Sequence, residues 1–315
     1  MDEKTKVLVT GATGFIGRHL VEELSKSGEY NILCTTRKLS RATFLKKFGA
    51  KIIQADITEK YSLEKVFNQK IDIVFHCAGY VANSNAELLY KINVLGTENI
   101  CDLSLKSGVK RVVYTSSVAV VSGNREVPLT EDLPFKATNI YGESKVEAER
   151  KALEYRKKGL KIVIVRPPIV YGEDEPHMMR FMLFLLKYRL LPLIDNGQNK
   201  FHLAYVKNVV KLMIYSLGNE GFLEGAFFIA DKEVLSSKEV FIAMCKGIRA
   251  KPPLNIPNCL KAALMPLPYV GKKLNFFTRD MIYSTKRIEK LGFNFPYSGE
   301  YSIPKSAKEL FYGKN

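Results

Sequence analysis

The sequence lacks a long apolar segment: no run of about 20 uncharged apolar residues occurs anywhere in its 315 positions. A helix needs such a run to cross the hydrocarbon core of a bilayer. The first residues, Met1 to Lys4, carry charges and lead directly into a strand pattern, unlike the start of a secretory signal peptide. We therefore expect no signal peptide, no membrane-spanning helix and a cytoplasmic location.

Cysteine and histidine are both scarce, which bears on metals and disulfides. The five cysteines are odd in number, and the four histidines are scattered singly along the chain. Neither set shows the spacing of a metal-binding motif. We therefore expect reduced thiols and no metal site; the cysteines are Cys34, Cys77, Cys101, Cys245 and Cys259.

Acidic residues are too few to balance the basic ones. The chain has 48 Lys and Arg against 32 Asp and Glu, a formal net charge of +16, and residues 246–315 hold 13 basic and 4 acidic residues. Such a charge can attract nucleic acid or an anionic membrane surface. Because the basic residues are dispersed and no nucleic-acid motif is visible, a solvated basic face is favoured and no nucleic-acid partner is expected.

Apolar, β-branched runs alternate with helical patterns along the first half of the chain. This alternation is typical of an α/β fold, a doubly wound parallel sheet of the Rossmann type. We expect a dinucleotide-binding domain over residues 1–165 and a smaller C-terminal substrate-binding lobe over 166–315, with some segments returning to the first domain. The predicted strands are Ile32–Thr36, Lys51–Ala55, Ile71–Cys77, Arg111–Thr115 and Ile162–Val165, and the predicted helices are Ser40–Phe48, Ser62–Gln69, Ala86–Ser107 and Ile140–Lys157.

A glycine-rich turn follows the first apolar strand pattern and opens the helical stretch Phe15–Ser27. Its sequence is Thr10-Gly-Ala-Thr-Gly-Phe-Ile-Gly17. Gly11 permits the tight turn, Gly14 lets a pyrophosphate approach the backbone, and Gly17 allows close packing of helix on strand. The positive end of the helix then faces the phosphates, so this motif predicts a dinucleotide site.

The segment Tyr141-Gly-Glu-Ser-Lys145 places a phenol and an ammonium group four residues apart. On a helix these positions share one face. A neighbouring cation lowers the pKa of a phenol from its usual value of about 10. We therefore predict that Tyr141 exchanges a proton with substrate, that Lys145 lowers its pKa, and that Ser117 binds the reacting oxygen.

With these motifs the chain resembles the extended short-chain dehydrogenase/reductases, the family of NAD-dependent epimerases and dehydratases. The resemblance implies an enzyme in which Asp56 and Ile57 contact adenine, Ala78 and Gly79 line the cofactor channel, and Asn93 organises the site. It also places Lys145 on the nicotinamide ribose and implies a homodimer. The motifs and the resemblance together predict the cofactor-binding residues, which are Gly11, Thr13, Gly14, Phe15, Ile16, Gly17, Arg37, Asp56, Ile57, Ala78, Gly79, Asn93, Thr115, Tyr141, Lys145, Pro167 and Ile169.

Within this family the pattern leans toward the branch of 3β-hydroxysteroid dehydrogenases and dihydroflavonol reductases. Nucleotide-sugar enzymes of the family usually carry Asn where Ile169 stands and an Asp near Asn208. Its dehydratases place an acidic pair where this chain has Val118 and Ala119. These departures argue against a UDP-sugar substrate and against net dehydration.

Two apolar segments of the C-terminal half suggest an apolar or bulky substrate. Residues 176–191 are rich in Met, Phe and Leu, and we interpret them as a buried helix with side chains suited to such a pocket. Residues 258–277 combine apolar residues with Lys272 and Lys273, while Pro266 and Pro268 would break a long helix. For this segment a substrate lid is favoured over contact with a membrane surface.

The second strand ends without a carboxylate, in the sequence Cys34-Thr-Thr-Arg-Lys-Leu-Ser-Arg41. An acid at this place accepts hydrogen bonds from the ribose hydroxyls of NAD, whereas an Arg binds the 2′-phosphate of NADP. By resemblance Arg37 matches the phosphate-binding Arg of the dihydroflavonol reductase branch. NADP is therefore the predicted cofactor, with NAD as the alternative.

The leading hypothesis is reversible hydride transfer between NADP(H) and a secondary alcohol or ketone, with Tyr141 as acid and base. Two alternatives stay open. An NAD-dependent nucleotide-sugar epimerase would use the same three residues, Ser117, Tyr141 and Lys145. A non-catalytic dinucleotide-binding sensor or scaffold would keep the cofactor site and lose turnover.

Overall fold

The computed structural model of the protein describes residues 4–82, 85–176, 178–256 and 279–313. The segment 258–277, for which a substrate lid is expected, lies outside these residues, as does Cys259. Within the described part of the chain, no helix is long and apolar enough to cross a membrane.

A seven-stranded sheet forms the centre of the molecule, in the order β11-β6-β5-β4-β1-β2-β3, and every neighbouring pair in it is parallel. The doubly wound fold expected from the sequence is therefore confirmed. The strands are β1 Thr5–Thr10, β2 Tyr30–Thr36, β3 Lys51–Gln54, β4 Ile73–His76, β5 Arg111–Thr115, β6 Ile162–Arg166, β7 Val170–Tyr171, β8 Leu193–Ile194, β9 Lys200–Phe201, β10 Ala204–Tyr205, β11 Ala226–Phe228, β12 Leu235–Ser236 and β13 Asn255–Ile256.

Helices cover both faces of this sheet and fill the C-terminal half. One core lies between the sheet and the helices α1 and α7, and a second lies between the sheet and α2, α4 and α5. The described helices are α1 Phe15–Ser27, α2 Lys60–Phe67, α3 Ala86–Leu89, α4 Gly96–Lys106, α5 Ile140–Lys157, α6 Met179–Lys187, α7 Val206–Tyr215, α8 Ser237–Gly247, α9 Lys286–Lys290 and α10 Gly299–Tyr312.

A third core joins residues of the C-terminal half. It packs α6, α8 and α10 around the buried side chains of Leu183, Phe241 and Ile303. The chain returns to the central sheet after residue 165, because β11 pairs with β6. The division of the chain at residue 165 itself stays a prediction.

Two predicted helices differ from the observed structure. Residues 40–48 form two short 3₁₀ segments, Leu39–Arg41 and Thr43–Phe48, closed by Gly49 in the left-handed region; so short a stretch gains little from helix propagation. The predicted helix 86–107 is interrupted between α3 and α4 by a π-helical stretch, Tyr90–Leu95, which contains the buried Asn93. Such wide turns often occur at functional sites.

The predicted buried helix at 176–191 is shorter than expected and only half buried. Helix α6 buries Met179, Leu183 and Leu186. Its other face leaves Phe181 63% and Phe184 48% exposed. The high hydrophobicity of this segment therefore does not mean that the helix is buried on all sides.

Candidate active site

The glycine-rich turn lies where β1, β4 and α1 meet. Gly11 has φ +67°, and a β-carbon there would lie 2.5 Å from the amide nitrogen of Ala78. A β-carbon at Gly17 would lie 2.3 Å from the carbonyl oxygen of Gly11. Only glycine fits at these two positions, because both clashes are with backbone atoms.

The N-terminus of helix α1 is suited to bind an anion. Gly14 is its extended N-cap, without a capping side chain, and the first turn contains no acidic residue. The first N–H groups of a helix have no partner inside the helix, and its dipole makes this end positive. The turn and the helix end thus fit the pyrophosphate of a dinucleotide.

A buried hydrogen-bonded chain supports this turn, and it was missed at the sequence level. The amide of Ala78 donates to Thr10 Oγ1 at 3.3 Å, and the Thr10 hydroxyl donates to Nδ1 of His76 at 2.7 Å, since the Thr97 hydroxyl donates to Asn93 and therefore places the proton of the neutral ring on Nε2. The Nε2–H of His76 then donates to Thr97 Oγ1 at 3.1 Å, and Thr97 donates to the carbonyl of Asn93 at 2.6 Å. His76 is held neutral, because burial, aided by the charge of Lys145, lowers its pKa to about 3.

This neutral histidine should make stability depend on pH. Its pKa in the folded protein, about 3, lies below the ordinary value of 6.5. Between these two pH values the unfolded chain binds a proton at His76 and the folded protein does not. The free energy of unfolding is not reduced by this effect above pH 6.5. It falls as the pH is lowered from 6.5 toward 3, by up to about 1.4 kcal/mol per pH unit. Urea unfolding from about pH 6.5 to about pH 4.5 should show this slope, and His76→Gln should reduce it; equal slopes would show that His76 does not carry the effect.

Helix α5 brings Tyr141 next to Ser117. Asn139 caps the helix by accepting a hydrogen bond from the amide of Gly142 at 2.8 Å. A β-carbon at Gly142 would lie 3.0 Å from the carbonyl oxygen of Ala119, so glycine allows this close approach. The Ser117 hydroxyl is hydrogen-bonded to the phenol of Tyr141.

The buried Lys145 projects from the same face of α5. Its Nζ donates to the carbonyl of Thr115 at 3.0 Å and lies 5.2 Å from the centroid of the Tyr114 ring. Burial lowers the pKa of Lys145 to about 8. A β-carbon at Gly79 would lie 3.4 Å from this nitrogen, so the ammonium group borders the predicted cofactor channel.

The pKa of Tyr141 differs from the expectation. Burial raises this pKa more than the hydrogen bond to Ser117 lowers it. The expected depression by Lys145 is not observed, because the Lys145 ammonium group is directed at the carbonyl of Thr115. The phenol therefore stays protonated at neutral pH and is arranged as a proton donor.

A buried ion pair anchors the serine segment, and the sequence reading did not identify it. The Glu149 carboxylate accepts from Nε of Arg166 at 2.9 Å and from a terminal nitrogen of the same guanidinium at 2.7 Å. It also accepts from the hydroxyl of Ser116. An acid four residues after Lys145, on the buried face of α5, was the available signal.

The structure brings several of the other predicted site residues to the same edge of the sheet. Asn93 Oδ1 accepts from the amide of Tyr80 at 2.8 Å, and its Nδ2 donates to Ser144 Oγ at 2.9 Å. The carbonyl of Pro167 accepts from the amide of Val118 at 3.2 Å. Thr115, Ser117, Tyr141, Lys145, Gly79 and Asn93 therefore form one cluster at the ends of β4 and β5.

Other predicted residues lie at separate points around this cluster. Asp56 Oδ1 accepts from the amide of Thr58 at 2.9 Å, which caps the turn after β3, and Ile57 packs against Gly96. Arg37 is exposed at the end of β2. Thr13 is exposed in the glycine turn, whereas Phe15 and Ile16 are half-buried against the third core.

Ile169 lies on the side of the C-terminal half, beside an apolar cavity of about 70 Å³. The side chain of Ile169 is 42% exposed. The cavity is lined mainly by aliphatic, aromatic and thioether groups; among them are Ile169, Tyr171, Met178, Met182, Phe201, Leu203 and Met244. In the described residues, no three His, Cys, Asp or Glu side chains are grouped so that they could hold a metal ion.

A parallel sheet with a glycine turn at β1 and a Ser-Tyr-Lys cluster at β5 defines a dinucleotide-dependent enzyme of the Rossmann class. The chain belongs to the NAD dependent epimerase/dehydratase family, whose model matches residues 7–229. The resemblance seen in the sequence is thereby confirmed. Dehydrogenases and epimerases are both among its relatives.

Two curated relatives and one solved structure illustrate this range. A sterol-4-alpha-carboxylate 3-dehydrogenase, decarboxylating, of Mus musculus is 30% identical over 240 residues, covering 72% of this chain and 64% of the relative. A UDP-glucose 4-epimerase of Vibrio cholerae is 29% identical over 248 residues, covering 74% and 73%. The structure of a UDP-glucuronic acid 4-epimerase from Bacillus cereus in complex with NAD has a TM-score of 0.79 at 19% identity, covering 97% and 98%, which shows a shared fold.

Proposed function

We propose that the protein is an NADP(H)-dependent oxidoreductase that interconverts a secondary alcohol and a ketone. The observation that carries this proposal is the Tyr141 phenol, hydrogen-bonded to Ser117 and one helical turn from the buried Lys145. A nicotinamide cofactor, when bound, supplies or accepts the hydride. The protein itself must then move one proton and stabilise the developing charge on oxygen.

In the reducing direction Tyr141 donates its proton to the carbonyl oxygen of the substrate. The Ser117 hydroxyl, next to that phenol, binds the same oxygen and keeps it within reach. Lys145, whose pKa is about 8, is mostly protonated at neutral pH and would hold the nicotinamide ribose. Glu149 fixes the Ser116–Ser117 segment through its bond with Ser116.

The preference for NADP rests on the end of β2. Arg37, Lys38 and Arg41 are all exposed there, within five positions of one another, and no carboxylate lies among them. Exposed cations beside a dinucleotide site suit the 2′-phosphate, which a guanidinium binds with two charge-assisted hydrogen bonds.

Arg37→Glu should therefore weaken NADPH binding by about 10- to 100-fold and change NADH binding little. A hydrogen bond between charged groups is lost and a repulsive carboxylate is added. Fluorescence titration with both cofactors measures the effect, with Lys46→Glu as a control at an exposed cation of the neighbouring 3₁₀ segment. Equal losses for NADPH and NADH would contradict the assigned role of Arg37.

An apolar substrate is favoured by two features of the C-terminal half. Ile169 borders the apolar cavity that Met178, Met182 and Met244 also line, which we call the Met-lined cavity. By the resemblance in sequence, nucleotide-sugar enzymes of the family usually carry Asn at this position. Asn208 is fully buried, and its Nδ2 donates to Asp231 at 2.8 Å and to the carbonyl of Tyr297 at 2.9 Å. Its amide is therefore engaged inside the protein and not free to bind a sugar.

A nucleotide-sugar epimerase is the second candidate, favoured by the UDP-glucose 4-epimerase among the relatives. A panel of ketones and nucleotide sugars, each with NADPH, distinguishes the candidates. Net NADPH consumption with a ketone supports the oxidoreductase. Formation of an epimer without net consumption, on tightly held NAD, would support the epimerase, whereas cofactor binding with no turnover would indicate a sensor or scaffold. The homodimer and the cytoplasmic location stay predictions.

A further inference from the structure

Helix α6 carries large apolar side chains on two opposite faces. The inner face buries Met179, Leu183 and Leu186. On the outer face Phe181 and Tyr188 are each 63% exposed, and the rings of Phe184 and Tyr188 lie 4.9 Å apart. A surface helix normally turns polar residues outward, so an apolar outer face indicates a contact other than water.

The apolar surface extends beyond the helix. Leu190, in the segment after α6, is 62% exposed, and Leu254 is 52% exposed. The amide of Leu193 donates to the carbonyl of Leu254 at 2.6 Å, which brings the segments after α6 and after α8 side by side. We call the exposed residues of 178–194 and 246–254 the α6 surface.

The α6 surface is basic as well as apolar. Lys187 Nζ donates to the carbonyls of Ile248 and Arg249, which joins the C-terminal ends of α6 and α8. The two segments contain no Asp or Glu and six cationic residues. Five of them are exposed, namely Arg180, Arg189, Lys246, Arg249 and Lys251, and Lys187 is half-buried.

We propose that the α6 surface docks on a lipid bilayer that carries anionic headgroups. Its aromatic and aliphatic side chains enter the interface, and its cations bind headgroup phosphates. Two copies meeting through this surface would bring like charges together with no acidic partner, which disfavours a second copy as the occupant.

The position of the cavity agrees with this docking. Met178, the N-cap residue of α6, is 49% exposed and also lines the Met-lined cavity, as does Met182. An apolar substrate could pass from the bilayer past Met178 toward Ile169. This route rests on the proposed function, whereas the docking itself does not.

The test is co-sedimentation of the full chain with phosphatidylcholine vesicles and with vesicles that also contain phosphatidylglycerol. The wild type should bind the anionic vesicles, and added salt should weaken the binding. Phe181→Ser combined with Phe184→Ser should lower partitioning about 10-fold or more. Arg180→Gln combined with Arg189→Gln should remove most of the preference for anionic vesicles.

Tyr61→Ser, at a tyrosine that is 73% exposed on α2, is the matched control and should bind like the wild type. NADPH titration of every variant shows that the cofactor site is intact, and it keeps failure of the docking separate from failure of the proposed function. The proposal is overturned if the wild type binds neither vesicle. The proposal is equally overturned if the double Phe variant binds vesicles like the wild type. It is also overturned if the only effect of the double substitution is the dissociation of a dimer, as measured by sedimentation velocity.

Discussion

Tyr141→Phe should lower turnover of a ketone substrate by about 10²- to 10⁴-fold, the usual contribution of a general acid. The substitution removes one oxygen and the hydrogen bond to Ser117, and it leaves the ring in place. Dinucleotide binding should change little, because the glycine turn at β1 is not touched. Steady-state kinetics with NADPH and a fluorescence titration of NADPH measure the two quantities.

Tyr155→Phe is the matched control on the same helix. The Tyr155 hydroxyl donates to Asp102 at 3.4 Å, more than three turns away from Tyr141, and takes no part in the site. This variant should keep near-normal turnover. Near-normal turnover of Tyr141→Phe itself would remove the acid from the mechanism, and an equal loss in both variants would indicate a general effect on α5.

Gly11→Ala should weaken dinucleotide binding by about 100-fold or more. The new β-carbon meets the amide nitrogen of Ala78 at 2.5 Å and its α-carbon at 2.7 Å, and the residue has φ +67°. The turn must therefore move away from the end of β4, which displaces the backbone that approaches the pyrophosphate. Calorimetric titration with NADPH measures the loss.

Gly28→Ala separates the backbone strain from the clash. Gly28 has φ +70°, and a β-carbon there would have nothing within 4 Å. It should cost about 1 kcal/mol of stability and leave cofactor affinity unchanged. If Gly28→Ala weakened NADPH binding as much as Gly11→Ala, strain rather than the approach to Ala78 would be responsible.

The fold was predictable because its signals are local in sequence. Buried parallel strands appear as short β-branched runs, and all five predicted strands are present with ends shifted by at most two residues. The glycine turn could also be predicted from the sequence, since any residue with a β-carbon would clash with the backbone at the positions of Gly11 and Gly17. Local sequence patterns were therefore sufficient to predict most of the architecture.

The contacts that complete the site join distant residues, and no local pattern reports them. Thr10 and His76 are 66 positions apart, and Asn93 and Ser144 are 51 apart. The pKa of Tyr141 depends on how deeply the phenol is buried and on where the Lys145 ammonium group is directed. Spacing along α5 fixes neither quantity.

The outer face of α6 shows a different limit. Hydrophobicity in residues 176–191 indicated burial, yet Phe181 and Phe184 face outward. A hydrophobic pattern reports that side chains avoid water and leaves open what they contact instead. Sequence therefore located this helix without identifying its environment.

Hydride transfer can be followed by offering NADPH that carries deuterium at both C4 positions of the nicotinamide, together with the ketone panel, and analysing products by mass spectrometry. The proposed function requires one deuterium in the alcohol product, on the former carbonyl carbon, with one NADPH consumed for each product molecule. Tyr141→Phe should remove this product. Turnover whose alcohol product contains no deuterium, or that proceeds on resident NAD without net oxidation of NADPH, would contradict an NADP(H)-dependent oxidoreductase.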